Sequence, residues 1–128
     1  MQEFILQQKN NIWFGSFPLL TEAGVINACS CRLHGESAVV GGTLNLALHV
    51  GDEPELVLRN RERFAQAVGV DAARLTTCAQ VHGSEVAVVD EALVGAGALS
   101  LADTIAGTDA LVTRLRNVPL LLFFADCV

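Results

Sequence analysis

Apolar positions along the chain change their spacing several times, and each change marks an element. Between residues 53 and 68, Leu56, Val57, Phe64, Ala67 and Val68 recur at the spacing of one helical face, leaving Arg59, Glu62, Arg63 and Gln66 mostly to solvent. Asp52 stands where an N-cap belongs, Glu55 three positions on completes a capping box, Pro54 suits the first turn, and Gly69 offers a left-handed stop. Such a face needs a sheet to cover it. Strands are expected at 25–33, which puts Cys29 and Cys31 on one side, and at 75–81 and 85–90, hinged at His82-Gly83-Ser84. Two more are expected at 109–113 and 120–125, separated by a turn at Arg116-Asn117-Val118-Pro119. A short apolar start, Phe4-Ile5-Leu6, precedes a turn-rich stretch through Gly15 and Pro18, and the glycine-punctuated segment 35–42 reads as a loop. So does the glycine- and alanine-rich segment 91–107, as a flexible loop. The pattern predicts an α+β (mixed α/β) fold in which one mixed sheet is packed by helices in a single domain.

Composition narrows the picture. With 128 residues, 52% hydrophobic and 17% charged, the chain has the length of one domain and is no disordered tail. A mean hydropathy of +0.45 is high for so small a domain, whose surface is large relative to its core. The run Pro119-Leu120-Leu121-Leu122-Phe123-Phe124-Ala125 is continuous and of strand length, which suits a strand covered on both faces. The expectation is a chain that oligomerises or forms part of a larger core truncated at its carboxyl end. That run is far shorter than the roughly 20 residues needed to span a bilayer, and the amino terminus carries no signal-peptide pattern, so a soluble cytoplasmic protein with no membrane partner is expected. Cysteines at 29, 31, 78 and 127 then read as reduced thiols. A net charge of −6 with scattered Lys and Arg gives no basic stripe and argues against nucleic acid as a partner.

Two polar signatures interrupt the apolar pattern: Gln80-Val81-His82-Gly83 and Ala125-Asp126-Cys127. His82 sits where a strand gives way to a turn, before a glycine that permits close approach. It is either a metal ligand or a turn histidine bonded to backbone. Cys127 follows an apolar strand, where folds of this class open their sites, and is either a ligand or nucleophile or an inert thiol. Cys29 and Cys31 read as structural, because no second pair completes a four-ligand site. His34 remains unassigned, and His49, beside Gly51-Asp52, reads as capping or packing. Asn45 either closes an Asx turn or offers its amide to a small ligand. Arg59 and Arg61, flanking Asn60, either meet phosphate or form a solvated face.

Five segments, taken in order, carry a resemblance. They are Asn45-Leu46-Ala47-Leu48-His49-Val50-Gly51-Asp52, Asn60-Arg61, Gln80-Val81-His82-Gly83, Asp109-Ala110-Leu111-Val112-Thr113 and Ala125-Asp126-Cys127-Val128. In order and spacing they resemble the laccase-domain family over roughly residues 25–128. That family was long labelled multicopper polyphenol oxidase and is now described as zinc-dependent purine nucleoside phosphorylases, with members called peptidoglycan editing factors. The resemblance implies that residues 1–128 are the amino-terminal part of one domain about twice as long. It implies a catalytic zinc held by His82 and Cys127 and by a second His in a downstream His-Ala-Gly-Trp-Arg-Gly segment that lies beyond Val128. Arg32 and Asn45 match the family's pocket-lining Arg and Asn, although Leu33-His34-Gly35-Glu36 after Arg32 departs from the usual double glycine.

The implied substrates are a purine nucleoside and phosphate, with adenosine deamination as an accessory activity. Three protein ligands and one open position form a catalytic zinc arrangement. Copper fits less well, since multicopper clusters need many histidines and the chain has three. Two other readings compete. One is a metal-free cysteine hydrolase or amidase acting on cell-wall precursors, with Cys127 as nucleophile and His82 as base. The other is a non-catalytic half-domain that pairs with another chain. With only two of the three ligands, the 128 residues alone are expected to bind zinc weakly and to turn over no nucleoside.

Overall fold

Two asparagines close the first structural element. Strands β1 (Ile5–Lys9) and β2 (Ile12–Ser16) pair antiparallel with Lys9 opposite Ile12, leaving Asn10 and Asn11 as a two-residue loop with φ of 50° and 64°. Positive φ at both loop positions is the type I′ geometry that matches the twist of paired strands, and asparagine tolerates it. The apolar start and the turn-rich stretch after it therefore contain a hairpin. Its β2 side is buried, with Ile12 and Phe14 inward, whereas β1 is exposed along its length. The structure, a computed structural model, describes residues 3–38 and 42–125. The chain forms two compact units, Met1–Val70 and Asp71–Val128.

In the first unit a short helix, α1 (Pro18–Glu22), leads to β3 (Cys29–Ser30), which pairs antiparallel with β2. The strand expected over 25–33 is reduced to these two residues, extended only by the Cys31 N–H donating to the Trp13 carbonyl at 3.1 Å. Asn27 is the cause. Its Oδ1 accepts from the Phe17 N–H at 2.6 Å, and its Nδ2 donates to the Val25 carbonyl at 3.1 Å and the Thr21 hydroxyl at 3.2 Å, so the approach to β3 is folded into a local turn.

Helix α2 (Pro54–Val68) stands where the periodicity predicts it, one residue shorter at its start. Gly69 closes it at φ 93°, its N–H donating to the Ala65 carbonyl at 2.8 Å. Val57, Phe64 and Ala67 are buried, and the Phe64 ring meets Phe14 of β2 edge-on with centroids 6.4 Å apart. The start differs from expectation. Glu53 occupies the cap position with no side-chain cap bond, and no capping box forms. Asp52 is spent elsewhere: its carboxylate accepts from the Ser37 hydroxyl at 2.5 Å, the Asn45 amide at 3.0 Å and the Glu53 N–H at 2.8 Å.

The second unit is built from short strands. β4 (Thr76–Thr77) pairs parallel with β7 (Leu120–Leu121), and β5 (Val86–Val88) pairs parallel with β6 (Ala110–Val112). Together with β1-β2-β3 these make three small sheets rather than the single expected one, while the mixed α and β class holds. Connections take edge positions where further strands would pair. The Thr77 N–H donates to the Ala96 carbonyl at 2.9 Å and the Ala79 N–H to the Ile105 carbonyl at 2.7 Å, so the 91–107 segment lies along β4. That segment is tied down rather than flexible: Ala96 and Ala98 are buried, and the Gly95 N–H donates to the Thr76 hydroxyl at 2.9 Å. Among the described residues no helix is long and apolar enough to cross a membrane.

Candidate functional site

His82 is held by its backbone, not by its ring. The segment 105–109 runs beside 77–81, with the Ile105 N–H donating to the Thr77 carbonyl at 3.4 Å and the Thr108 N–H to the Ala79 carbonyl at 3.2 Å. This register brings Asp109 to the turn after β4. There one Asp109 oxygen accepts from the N–H of Val81 at 3.0 Å and of His82 at 2.7 Å, and the other from the N–H of Gly83 at 2.8 Å. Three consecutive main-chain donors on one carboxylate form an anion-holding nest whose anion is part of the chain. His82 itself sits at φ 59°, the left-handed region that a non-glycine residue enters only at a cost. Its side chain is exposed, and among the described residues no hydrogen bond engages the imidazole. Among the described residues the ring thus makes no bond to backbone.

Gln80 ties the same turn to the strand that leads toward Cys127. Its Nε2 donates to the Phe123 carbonyl at 3.1 Å, and its Oε1 accepts from the Phe123 N–H at 2.8 Å. A side-chain amide that satisfies both backbone groups of one residue acts as a strand partner one residue long. Phe123 lies four positions before Cys127 in the sequence. Cys127, expected as the second ligand, lies outside the described residues, as does Asp126.

The other thiols differ in environment. Cys78 is buried, and desolvation pushes its thiol up, with the negative charge of Asp109 adding to the effect. Cys29 is exposed and Cys31 half-buried, both free. Among the described residues no group of three His, Cys, Asp or Glu side chains is gathered for a metal. One open imidazole on a fixed turn does fit the zinc expected from the sequence, because a neutral imidazole nitrogen is a donor zinc accepts readily.

The two pocket residues expected from the sequence, Arg32 and Asn45, belong to the first unit. Arg32 is exposed, and its carbonyl accepts from the N–H of Thr43 at 2.8 Å and of Leu44 at 3.1 Å, closing the loop that Gly35 and Gly42 punctuate. Gly42 is required there: a Cβ would fall 2.5 Å from the Arg32 Cβ, and its φ is 144°. Asn45 closes the Asx turn, with Oδ1 accepting from the Ala47 N–H at 3.0 Å and Nδ2 donating to the Ala47 carbonyl at 3.0 Å as well as to Asp52. The hydrogen bonds from Ser37 and Asn45 hold the Asp52 carboxyl below the ordinary carboxylate range.

Asn60 is the hub of this polar group. It is fully buried, donating to the Ser37 hydroxyl at 2.8 Å and the Asn45 carbonyl at 2.9 Å and accepting from the Glu36 N–H at 2.8 Å. Arg61 is likewise buried, its Nε donating to the Leu46 carbonyl at 2.8 Å, and burial lowers its pKa to about 10, so it stays charged at neutral pH. The solvated face expected for Arg59 and Arg61 holds for Arg59 alone, which is exposed and 3.8 Å from Glu36. Arg61 is buried because α2 carries polar groups into its buried face to satisfy loop backbone.

Comparison with known proteins accounts for these motifs. The family model described as multi-copper polyphenol oxidoreductase laccase matches residues 26–128. The chain belongs to that family. It is 36% identical over 126 residues to the purine nucleoside phosphorylase YlmD of Geobacillus stearothermophilus, covering 97% of this chain and 45% of the relative. The crystal structure of that YlmD superposes with a TM-score of 0.87 at 34% identity, over 98% of this chain and 46% of that one. The purine nucleoside phosphorylase ORF3 of Streptomyces griseus is 43% identical over 96 residues, 75% of this chain and 37% of the relative. A protein named adenosine deaminase RL5, from an unknown prokaryotic organism, is 36% identical over 97 residues, 76% of this chain and 36% of its own length. The chain thus spans less than half the length of these relatives, and its family membership rests on the same segments that carry the motifs.

Sequence reasoning missed Asp109 as the anchor of the His82 turn. A lone acid between Gly107-Thr108 and the apolar Ala110-Leu111-Val112 was the available signal, since an acid opening a strand needs a partner. The family segment 109–113 includes it, without indicating that its partners are the main-chain N–H groups of another motif.

Proposed function

We propose that the full-length protein is a zinc-dependent purine nucleoside phosphorylase, with His82 and Cys127 as metal ligands and Arg32 and Asn45 serving the substrate. The observation that carries this is the His82 turn: an exposed imidazole without a partner among the described residues, on a backbone whose donors are already consumed by Asp109. A resting structural histidine has no need of such an arrangement. The family's purine nucleoside phosphorylase relatives supply the reaction class.

Zinc bound there would supply Lewis-acid polarisation of the substrate. Phosphorolysis breaks the bond between the ribose C1′ and the purine nitrogen and forms a C1′–O bond to phosphate, with a proton ending on the released base. His82 would enter as a neutral donor, its proton on the ring nitrogen facing away from the metal. Arg32, a permanent cation on an exposed loop, would attract phosphate. Asn45 would hold the same loop through Ala47 and Asp52.

Deamination of adenosine is a second reading, favoured by the resemblance to the protein named adenosine deaminase RL5. One chromatographic assay of zinc-loaded full-length protein separates them. Inosine with phosphate should yield hypoxanthine, adenosine with phosphate should yield adenine, and any deamination would appear as inosine formed without phosphate. His82→Ala should lower phosphorolysis by at least about 100-fold, beyond the loss typical of residues that merely support a ligand. No phosphate-dependent release of base from zinc-loaded protein would overturn the proposal.

A further inference from the structure

We infer that Asp109 is a positioning residue for the metal site: it acts through the backbone of Val81, His82 and Gly83 to fix the direction of the His82 imidazole. The inference rests on the reading of His82 as a zinc ligand and deepens it. Asp109 donates nothing to the ring. Its two oxygens take three consecutive N–H groups at 3.0, 2.7 and 2.8 Å, and each such bond to a charged acceptor is among the stronger hydrogen bonds in proteins. The turn they close holds His82 at φ 59°, a conformation that needs external support in a residue with a Cβ. Without the carboxylate, the residue is expected to relax toward negative φ, which rotates the Cα–Cβ bond and swings the ring away.

Two further features agree with this assignment. Gly83 approaches the carboxylate so closely that a Cβ would lie 3.2 Å from Oδ2, tighter than ordinary contact. The position of Asp109 is also fixed independently of the turn. Thr108 is tied to Ala79, while the Glu85 carbonyl accepts from the N–H of Asp109 at 3.0 Å and of Ala110 at 3.3 Å, so the backbone of Asp109 is held on both sides. Asp109 therefore serves as a rigid template on which the 81–83 turn is shaped, in the manner of the outer groups that orient metal ligands elsewhere, except that it grips main chain rather than the second ring nitrogen.

The test uses the full-length natural protein. Zinc affinity is measured by competition with a chromophoric chelator, the absorption bands of the cobalt(II)-substituted site are recorded, and thermal unfolding reports on the fold. Asp109→Ala should weaken zinc binding by about 10- to 100-fold and alter the cobalt bands while leaving a cooperative unfolding transition. Asp109→Asn should be intermediate, because Oδ1 can keep the Val81 and His82 bonds while the amide opposes the Gly83 N–H. Gly83→Ala, which displaces the carboxylate without removing it, should shift the cobalt bands in the same sense. If Asp109→Ala does not fold, these two milder variants decide by the same criterion. Wild-type protein that binds zinc through His82, as His82→Ala shows, with unchanged affinity and cobalt bands in the Asp109 variants, would overturn the inference alone. Zinc binding that is absent, or unaffected by His82→Ala, would overturn the ligand reading and the inference with it.

Discussion

At the scale of single residues, the structure assigns amides and carboxylates to jobs that their sequence neighbourhoods do not announce. Asn60 lies on a helix between two arginines, yet it is the fully buried centre of a group that includes Ser37, Asn45 and Asp52. Its Nδ2 faces only acceptors, the Ser37 hydroxyl and the carbonyls of Thr43 and Asn45, while Oδ1 faces the Glu36 N–H. That polarity makes a sharp prediction. Asn60→Asp keeps shape and the Glu36 bond but turns a carboxylate oxygen toward two carbonyls. It should cost about 3 kcal/mol or more, the range for a buried unpaired charge or broken buried network, and no less than Asn60→Ala. Urea midpoints of the two variants would decide, and a near-neutral Asn60→Asp would show that the group is less buried in solution than described.

At the scale of elements, the legible parts were those whose signal is local. Helix α2 was readable from its period and from Gly69, because both act within one turn of chain. Its start was misread because Asp52 can cap a helix or bind a loop, and only the arrival of Ser37 and Asn45 decides between them. The short strands were overextended for a related reason: an apolar run shows that a segment is buried, not that a strand lies beside it. The 91–107 segment is the plainest case, since its glycines suggest flexibility whereas Gly97 serves close approach to β4. Gly97 sits at φ 77°, and a Cβ there would meet the Thr77 methyl at 2.5 Å and the Thr104 hydroxyl at 3.0 Å. Gly69, at φ 93°, has nothing within 4 Å of such a Cβ. Gly69→Ala should therefore cost about 1–2 kcal/mol for the left-handed backbone alone. Gly97→Ala should cost more and should speed hydrogen exchange in 95–105, and equal effects in the two variants would contradict the packing role. The candidate site was legible as motifs and illegible as geometry: His82 and Gln80 could be picked out, but the grip of Asp109 depends on a register 27 residues away.

At the scale of the whole molecule, acid brings two opposed effects that Asp52 can separate. The chain carries a net charge of −6 at neutral pH and a pI near 4.8, so mild acidification relieves self-repulsion and should leave stability level or slightly raised. Asp52 works the other way. Hydrogen bonds from Ser37 and Asn45 lower its folded pKa below the unfolded value of about 3.9, so its contribution is fully present above that value and is lost as pH falls through the folded pKa. The first effect acts mainly above the pI and the second below about pH 4, so the two do not overlap. Stability measured by urea midpoint should hold from pH 7 to about 4 and fall below that. Asp52→Asn should be less stable at pH 7, because its amide nitrogen must face either the Ser37 and Asn45 donors or the Glu53 N–H. Its acid limb should be shallower than that of the wild type, since the titrating group is gone. Parallel acid limbs in the two proteins would mean that the loop holding Arg32 and Asn45 owes its acid sensitivity to other carboxylates, and that the Ser37–Asp52–Asn45 group does not set the acid stability of the first unit.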